Sequence, residues 1–389
     1  MKHLAVANNR ELQSLYAKWN AAENKAPQAA ALPDPKLNYG YFLEPVRTKT
    51  GPQDQKIGIS QTIPWFGKLS LKEKMAVKEA EAAFSEYENA GQRVIKDLEK
   101  TYYEYCWVYD ALRINKEHSA LLRLMESVAK VRFRNGKLSQ SALVQIQMEQ
   151  SRIEDRIREL EELKFPLSSA ICSALGKETT KIMPEPVVTA AAEKLPDASV
   201  MKQRLVSTNP AIEKLRRMKQ RAEFSLKLAD KQYYPDFTFG MSYIDTDEGD
   251  DPALALVSIN LPIWRKSLNA NRLEAAKELE SVDKRIDDMR LKLLSELDRQ
   301  LYHYRNSLRK KTLYENTLVP KAQQAIDLLM KEFETGSVAI AELLIAERTL
   351  LEFQLEAARY IANAYQRKAE IQSLVTGFST SVKQNGKIR

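Results

Sequence analysis

The residues of this 389-residue chain whose types could ligate a metal or run acid–base chemistry are few and scattered. His3, His118 and His303 stand far apart and form no ligand set. Cys106 and Cys172 fall inside helical patterns without metal-type spacing and read as free, small packing residues. The acidic stretch "DTDEGDD" (245–251) loosely resembles a calcium loop, but it lacks the ligand pattern and the terminal Glu, and reads as a solvated hairpin loop. No Gly-rich phosphate loop, nucleophile elbow or zinc motif is present. The expectation is a protein that is no enzyme and holds no cofactor or metal. The chemistry that remains is that of solvents. In "YYPDFTFGMSYID" (233–245), Phe237, Phe239, Met241 and Tyr243 alternate with Thr238, Gly240 and Ser242, giving a strand with one oily face and one of small or polar residues.

Such strands must be held by something, and the rest of the chain is helix. Charged residues make up 29% and apolar ones 44%, with only 12 Gly, a balance that favours long helices. The net charge of +8 is spread among mixed-sign runs such as "ELESVDKRIDDMRLKLLSELDRQ" (278–300), as on a solvated helix face. No apolar run is long enough for a transmembrane helix.

The chain also repeats. "PKLNYGY" (35–41) and "PDFTFGM" (235–241) align at a shift of two hundred positions, as do Asn9 and Asn209. "ISQTIPWFGK" (59–68) answers "SINLPIWRK" (258–266) with a two-residue slip, and "FRNGKLSQSALVQIQ" (133–147) answers "FETGSVAIAELLIAE" (333–347). The unit is helix, strand, loop, strand, very long helix, Gly turn, long helix. Residues 1–175 form the first copy, 176–208 an irregular connector, 209–377 the second copy and 378–389 a tail.

From Lys68 to about Arg132 there is no Pro, which gives ~100 Å of helix at 1.5 Å per residue. Ala80, Phe84, Tyr87, Gly91, Val94, Leu98, Thr101, Tyr105, Val108 and Leu112 follow a coiled-coil period. The last helix carries two stripes, one through Leu343, Leu350 and Ala357, the other through Leu344, Leu351 and Ala358, and so needs a neighbour on each side. Pro320 predicts an interruption in the second copy only, since its counterpart is Ala120. Gly136 and Gly336 predict left-handed turns, after which Ser139 or Ser337 caps the next helix.

Strands are expected at 36–44, 56–63, 236–244 and 254–262. Leu37, Tyr39, Tyr41 and Leu43 share one face, as do Ile57, Ile59 and Ile63 with Gln61 the exception, and Ala255, Val257, Ile259 and Leu261. A soluble sheet packed under a cover alternates in the same way. Helices this long do not fold back to cover the strands, and four strands do not close a membrane barrel, so several chains would have to share one.

These segments identify the chain as resembling the TolC family of outer-membrane efflux channels, from about Ala7 to Gly377. The carrying stretches are "ALPDPKLNYGY" with "ISQTIPWFGK", "YYPDFTF" with "INLPIWRKS", and "LVPKAQQAIDLLMKEFETGSVAIAELLIAE" (318–347); "ALPDP" followed by "WFGK" looks most like the heavy-metal efflux branch. The resemblance implies a mainly α fold with a small β part. Long coiled-coil hairpins would form an α-barrel, and four strands per chain a trimeric twelve-stranded transmembrane β-barrel.

It implies a homotrimer in the outer membrane with a periplasmic extension, meeting an adaptor protein and an inner-membrane pump, and passing substrate without covalent chemistry. Glu342 matches the first of two acidic gate positions, and Ile345 stands at the second. Val338 replaces a basic residue common after the second tip Gly. Adaptor contact would involve Phe133, Gly136, Leu138, Phe333, Gly336 and Val338. The lipid-facing set would be Leu37, Tyr39, Tyr41, Ile57, Ile59, Phe237, Phe239, Met241, Val257 and Ile259. Family members begin with an export signal, whereas "MKHLAVANNRELQSLY" is already polar and helical, so a trimmed start is expected. The competing reading is a soluble coiled-coil scaffold or nucleic-acid-binding helical protein, with "KLRRMKQR" (214–221) as its basic helix.

Overall fold

The computed structural model describes residues 1–49, 51–179, 181–187, 195–246 and 250–376. The middle of the acidic loop, parts of the connector and the expected tail at 378–389 lie outside them. Three short helices, α1 (Lys2–Asn8), α2 (Arg10–Glu23) and α3 (Lys25–Ala30), lead into strands β1 (Lys36–Thr48) and β2 (Gly51–Ile63). Helices α4 (Lys68–Arg134) and α5 (Gln140–Ala174) follow. After the connector come α6 (Ala198–Thr208), α7 (Pro210–Lys231), β3 (Phe237–Thr246), β4 (Ala253–Ile259), α8 (Arg265–Leu313), α9 (Val319–Thr335) and α10 (Ile340–Val375).

The strands differ from their expected bounds in an informative way. β1 and β2 run on to Thr48 and back from Gly51, through the polar stretch 44–55 that reads as an open loop. Backbone pairing of Val46 with Gln53 and of Thr48 with Gly51 carries the ladder outward, past a register shift after Tyr41. Ladder hydrogen bonds do not need apolar side chains. β4 is shorter than expected and stops at Ile259, ahead of Pro262.

The sheet is antiparallel in the order β1-β2-β3-β4. Its central pair joins distant parts of the chain: Ile57 faces Tyr243, Ile59 faces Met241 and Ile63 faces Phe237. With Leu37 opposite Ile59 and Phe239 opposite Val257, the apolar residues form rows that cross the sheet on one face. The other face carries Asn38, Gly58 and Ser242 in one row, and Thr62 and Thr238, whose hydroxyls meet at 2.9 Å, in another. Gly58 is required there, because a Cβ would lie 2.4 Å from the Ser242 hydroxyl and 2.9 Å from the Met241 carbonyl. Leu254 and Leu256 are exceptions, standing on the mostly polar face. The oily face lies open: Leu37 is 72% exposed, Met241 64% and Val257 61%. Phe237 is half-buried between the rings of Trp65 and Phe239.

The helical residues form two compact units. One gathers Met1–Gln13, Asn89–Asn209 and Leu291–Arg389, the other Ser14–Glu88 and Pro210–Arg290 with the sheet. Helix α4 is a single helix of 67 residues, continuous through Ala120. In the second copy a π-helical segment, Tyr314–Leu318, separates α8 from α9 just ahead of Pro320. Proline lacks an N–H and its ring crowds the carbonyl four residues back, and the wider π turn absorbs that clash.

Most stripe positions are buried. Leu98, Tyr105, Val108 and Leu112 of α4 and Leu343, Leu344 and Leu350 of α10 are almost or fully inaccessible, while Phe84 and Thr101 are half-buried. Both stripes of α10 find partners. Leu343, Leu344 and Leu350 pack into a core with Leu122, Ile146 and Ile153, while Ala358 and Ala362 join Trp107, Val108 and Leu160.

The basic run of α7 is not a free cationic face. Lys214 pairs with Glu86 (3.1 Å), Arg217 with Glu81 (2.9 Å) and Glu213 (2.6 Å), Lys219 with Asp283 (2.7 Å) and Arg221 with Glu79 (3.4 Å). Carboxylates of its own unit occupy the side chains that a phosphate backbone would need.

Candidate functional site

The two hairpin tips are built by the same backbone device. At the first, Gly136 takes φ +69°, its N–H reaches the Phe133 carbonyl (2.9 Å) and the Lys137 N–H reaches the Arg132 carbonyl (2.9 Å). At the second, Gly336 takes φ +94°, and the N–H groups of Gly336 and Ser337 both reach the Glu332 carbonyl (3.0 and 2.9 Å). These left-handed positions suit Gly, which has no Cβ to clash, and the bonds satisfy carbonyls that a helix end leaves open.

The caps that follow differ. The Ser139 hydroxyl accepts from the Ala142 N–H (3.4 Å), as expected. Ser337 does not cap: α10 starts four residues after its Gly, as α5 does, so the N-cap position falls on Ala339, and the Ser337 hydroxyl meets that of Thr335 (3.1 Å).

The sequence-derived site residues separate into two groups. Phe333 is fully buried among Leu122, Met125, Ala129 and Ile146, and half-buried Leu138 and Val338 pack against the same core. Phe133, aligned with Phe333, is 42% exposed, and Gly136 and Gly336 lie at the surface. Glu342 is exposed in the first turn of α10, where its charge faces the positive end of the helix dipole. Ile345, one turn on, is 62% exposed, so an acidic and an apolar side chain stand in succession on one helix face.

Sequence reasoning missed three features here. Arg132 reaches from the first hairpin to the second: its guanidinium stacks 4.8 Å from the centre of the Phe333 ring and donates to the Phe333 carbonyl. His118 and Glu347 form a buried pair, Nδ1 to carboxylate 2.8 Å, with the other ring nitrogen 3.1 Å from Gln354 Oε1. Glu149, also buried, is held by Arg348 and Arg152. A signal for Glu347 did exist, since it falls in the stripe between Leu343 and Leu350, where a charge must find a partner.

Burial pushes the Cys106 thiol up to about 11 and the Tyr103 phenol to about 12. Among the described residues no group of three or more His, Cys, Asp or Glu is placed to hold a metal, and no helix is long and apolar enough to cross a membrane.

A second cluster joins the sheet to its helices. The Asp236 carboxylate accepts from the Trp65 N–H (2.7 Å) and from Lys68 Nζ (2.7 Å), which also reaches the Tyr234 carbonyl (3.0 Å). Trp65 stacks on Tyr234 at 5.1 Å. The "WFGK" motif at 65–68 and the "YYPDF" motif at 233–237 thus meet, closing the base of the β2–β3 pair.

Residues 202–377 match the family described as "Outer membrane efflux protein". The cobalt-zinc-cadmium resistance protein CzcC of Cupriavidus metallidurans is 23% identical over 380 residues, covering 96% of this chain and 88% of that one. The fold matches the outer membrane protein VceC of Vibrio cholerae with a TM-score of 0.81 at 17% identity, covering 97% of this chain and 96% of that one. It matches the open state of the Neisseria gonorrhoeae outer membrane channel MtrE with a TM-score of 0.80 at 13% identity, covering 97% of this chain and 88% of that one.

Proposed function

We propose that the chain belongs to the outer membrane efflux protein family, whose model matches residues 202–377, and that it is the exit duct of a tripartite efflux system, a passive conduit across the periplasm and the outer membrane. One observation carries this reading: a four-stranded sheet ends in two edges, β1 and β4, and exposes continuous oily rows on one face. In lipid every backbone N–H and C=O must be paired, so an open sheet is stable there only when other copies take up its edges. Three chains of four strands give a twelve-stranded cylinder, the number the resemblance implies. Leu37, Tyr39, Tyr41, Ile57, Ile59, Phe237, Phe239, Met241, Val257 and Ile259 then meet lipid, while Asn38, Ser242 and Thr62 line water.

The helical hairpins extend the conduit, and the tips at Gly136 and Gly336 meet a periplasmic adaptor, with Phe133 as the exposed anchor of the first. An inner-membrane pump supplies the energy, and the duct does no covalent chemistry. The likeness to a cobalt, zinc and cadmium resistance protein favours divalent metal cations as cargo. Glu342 supports this, because three copies place a ring of carboxylates that draws cations and repels anions.

The test is a planar-bilayer recording of detergent-purified protein. The wild type conducts and prefers cations, and Glu342→Ala lowers the cation-to-anion permeability ratio by roughly two- to fivefold. A protein that inserts no conductance overturns the duct reading, and an unchanged ratio removes Glu342 from the gate.

A further inference from the structure

Arg132 makes contacts that neither hairpin needs for its own closure. It stands in the last turn of α4, with its backbone carbonyl already closing the first Gly turn. Its side chain bridges the two hairpins. Nη1 donates to the Phe333 carbonyl, Nη2 lies 3.4 Å from the Lys137 carbonyl oxygen, and the guanidinium covers the Phe333 ring at 4.8 Å. A Cβ placed on Gly336 would come within 3.0 Å of the same Nη2, so Arg132 is seated directly against the second turn.

The Phe333 carbonyl, which also accepts from the Gly336 N–H (3.2 Å), belongs to the last turn of α9, where the negative end of the helix dipole attracts a cation. A planar guanidinium can donate to two carbonyls and stack on a ring at once, which an ammonium cannot. The arrangement is not reciprocal. Glu332 stands two hundred positions after Arg132, and the ring aligned with Phe333 is the exposed Phe133.

What Arg132 holds is continuous with the mouth. Gly336 is followed by three residues and then by α10, whose first turn carries Glu342. We propose that Arg132 is the positioning residue of the mouth, a one-sided clasp that fixes the Gly336 turn against the first hairpin and thereby sets how far Glu342 stands from the pore axis. The clasp stands on the contacts within one chain, and its effect on the mouth rests on the exit-duct reading of Glu342. Val338 leaves the second tip without a cation of its own at that position.

The experiment compares wild type, Arg132→Ala and Arg132→Lys as assembled, detergent-purified protein in two measurements. In hydrogen exchange, Arg132→Ala speeds exchange of the amides in 333–345 roughly tenfold while those of 133–140 change little. In the planar bilayer it raises single-channel conductance by about 1.5- to 2-fold and weakens the effect of adding Glu342→Ala. Arg132→Lys keeps the charge and the stem, assembles if the alanine variant does not, and falls between the two, since it loses the fork and the flat stack. Unchanged exchange in 333–345 overturns the clasp. Faster exchange with unaltered conductance and fully additive Glu342→Ala overturns its role at the mouth. A wild type that does not conduct overturns the exit-duct reading and the mouth role with it, while the exchange measurement still decides the clasp.

Discussion

At Glu126, in the first hairpin, three donors converge on one carboxylate: Lys130 Nζ (2.9 Å) and the amides of Gln147 (3.1 Å) and Gln150 (3.5 Å). The Lys130 hydrogen bond, then that of Gln147, holds its acid constant below the ordinary value of 4.5 against the opposing effect of burial. A depressed constant in the folded state means that the stabilisation is complete above the unfolded value and is lost as pH falls through the folded one. Glu126→Gln should therefore lower the thermal midpoint by a constant amount above about pH 5.5, and the two curves should converge as the pH drops below 4.5. A gap that persists at pH 3 would assign Glu126's contribution to packing instead. The partners come from both helices of the hairpin, and only the i,i+4 neighbour Lys130 was visible in the sequence. Arg132 was hidden for the same reason. Its neighbours in the chain say nothing of a ring two hundred residues away.

At the scale of elements, the strand–helix junction depends on Lys68 and Asp236. Lys68 is buried, its side chain 10% exposed, and Asp236 is 28% exposed. Removing the ammonium leaves a partly buried carboxylate with the Trp65 N–H as its remaining donor in this cluster. Lys68→Met should cost about 2–3 kcal/mol, read as a lowered thermal midpoint of the detergent-solubilised protein. Lys68→Met with Asp236→Asn should recover part of that loss, because no uncompensated charge remains. Loss-free unfolding of the single variant would show that the Trp65, Tyr234 and Phe237 stack holds the junction alone. The long helices were legible as elements, since α4 needs no Pro-free guesswork beyond its own period and Pro320 marks where the second copy yields. Strand ends were less so. β1 and β2 extend through Pro45, Arg47 and Gln53 on backbone pairing, and no alternation of side chains announces that.

At the scale of the whole molecule, assembly is where the oily face is tested. Phe239 is 48% exposed in the row with Val257 and Gln61, and on the exit-duct proposal Phe239→Lys puts a charge into hydrocarbon at about 2–4 kcal/mol per copy. Trimers should fail to form in membranes, measured by heat-sensitive migration on gels of membrane extracts. Wild-type yields of trimer would place this face away from lipid. The sequence by itself determined the helices, the four strands, the two Gly turns and most of the separation of oily from polar residues on the strands, with Gln61, Leu254 and Leu256 as exceptions. Those follow from periodicity and from backbone rules that act over a few residues. Only the tertiary structure decided that β2 pairs with β3, that Phe333 is buried while Phe133 is not, that the basic run of α7 is neutralised, and that Arg132 joins the tips. Two copies of one pattern carry no local sign of which will bury its ring. That outcome is set by which helices end up packed together, and a contact between residues two hundred positions apart exists only once they are.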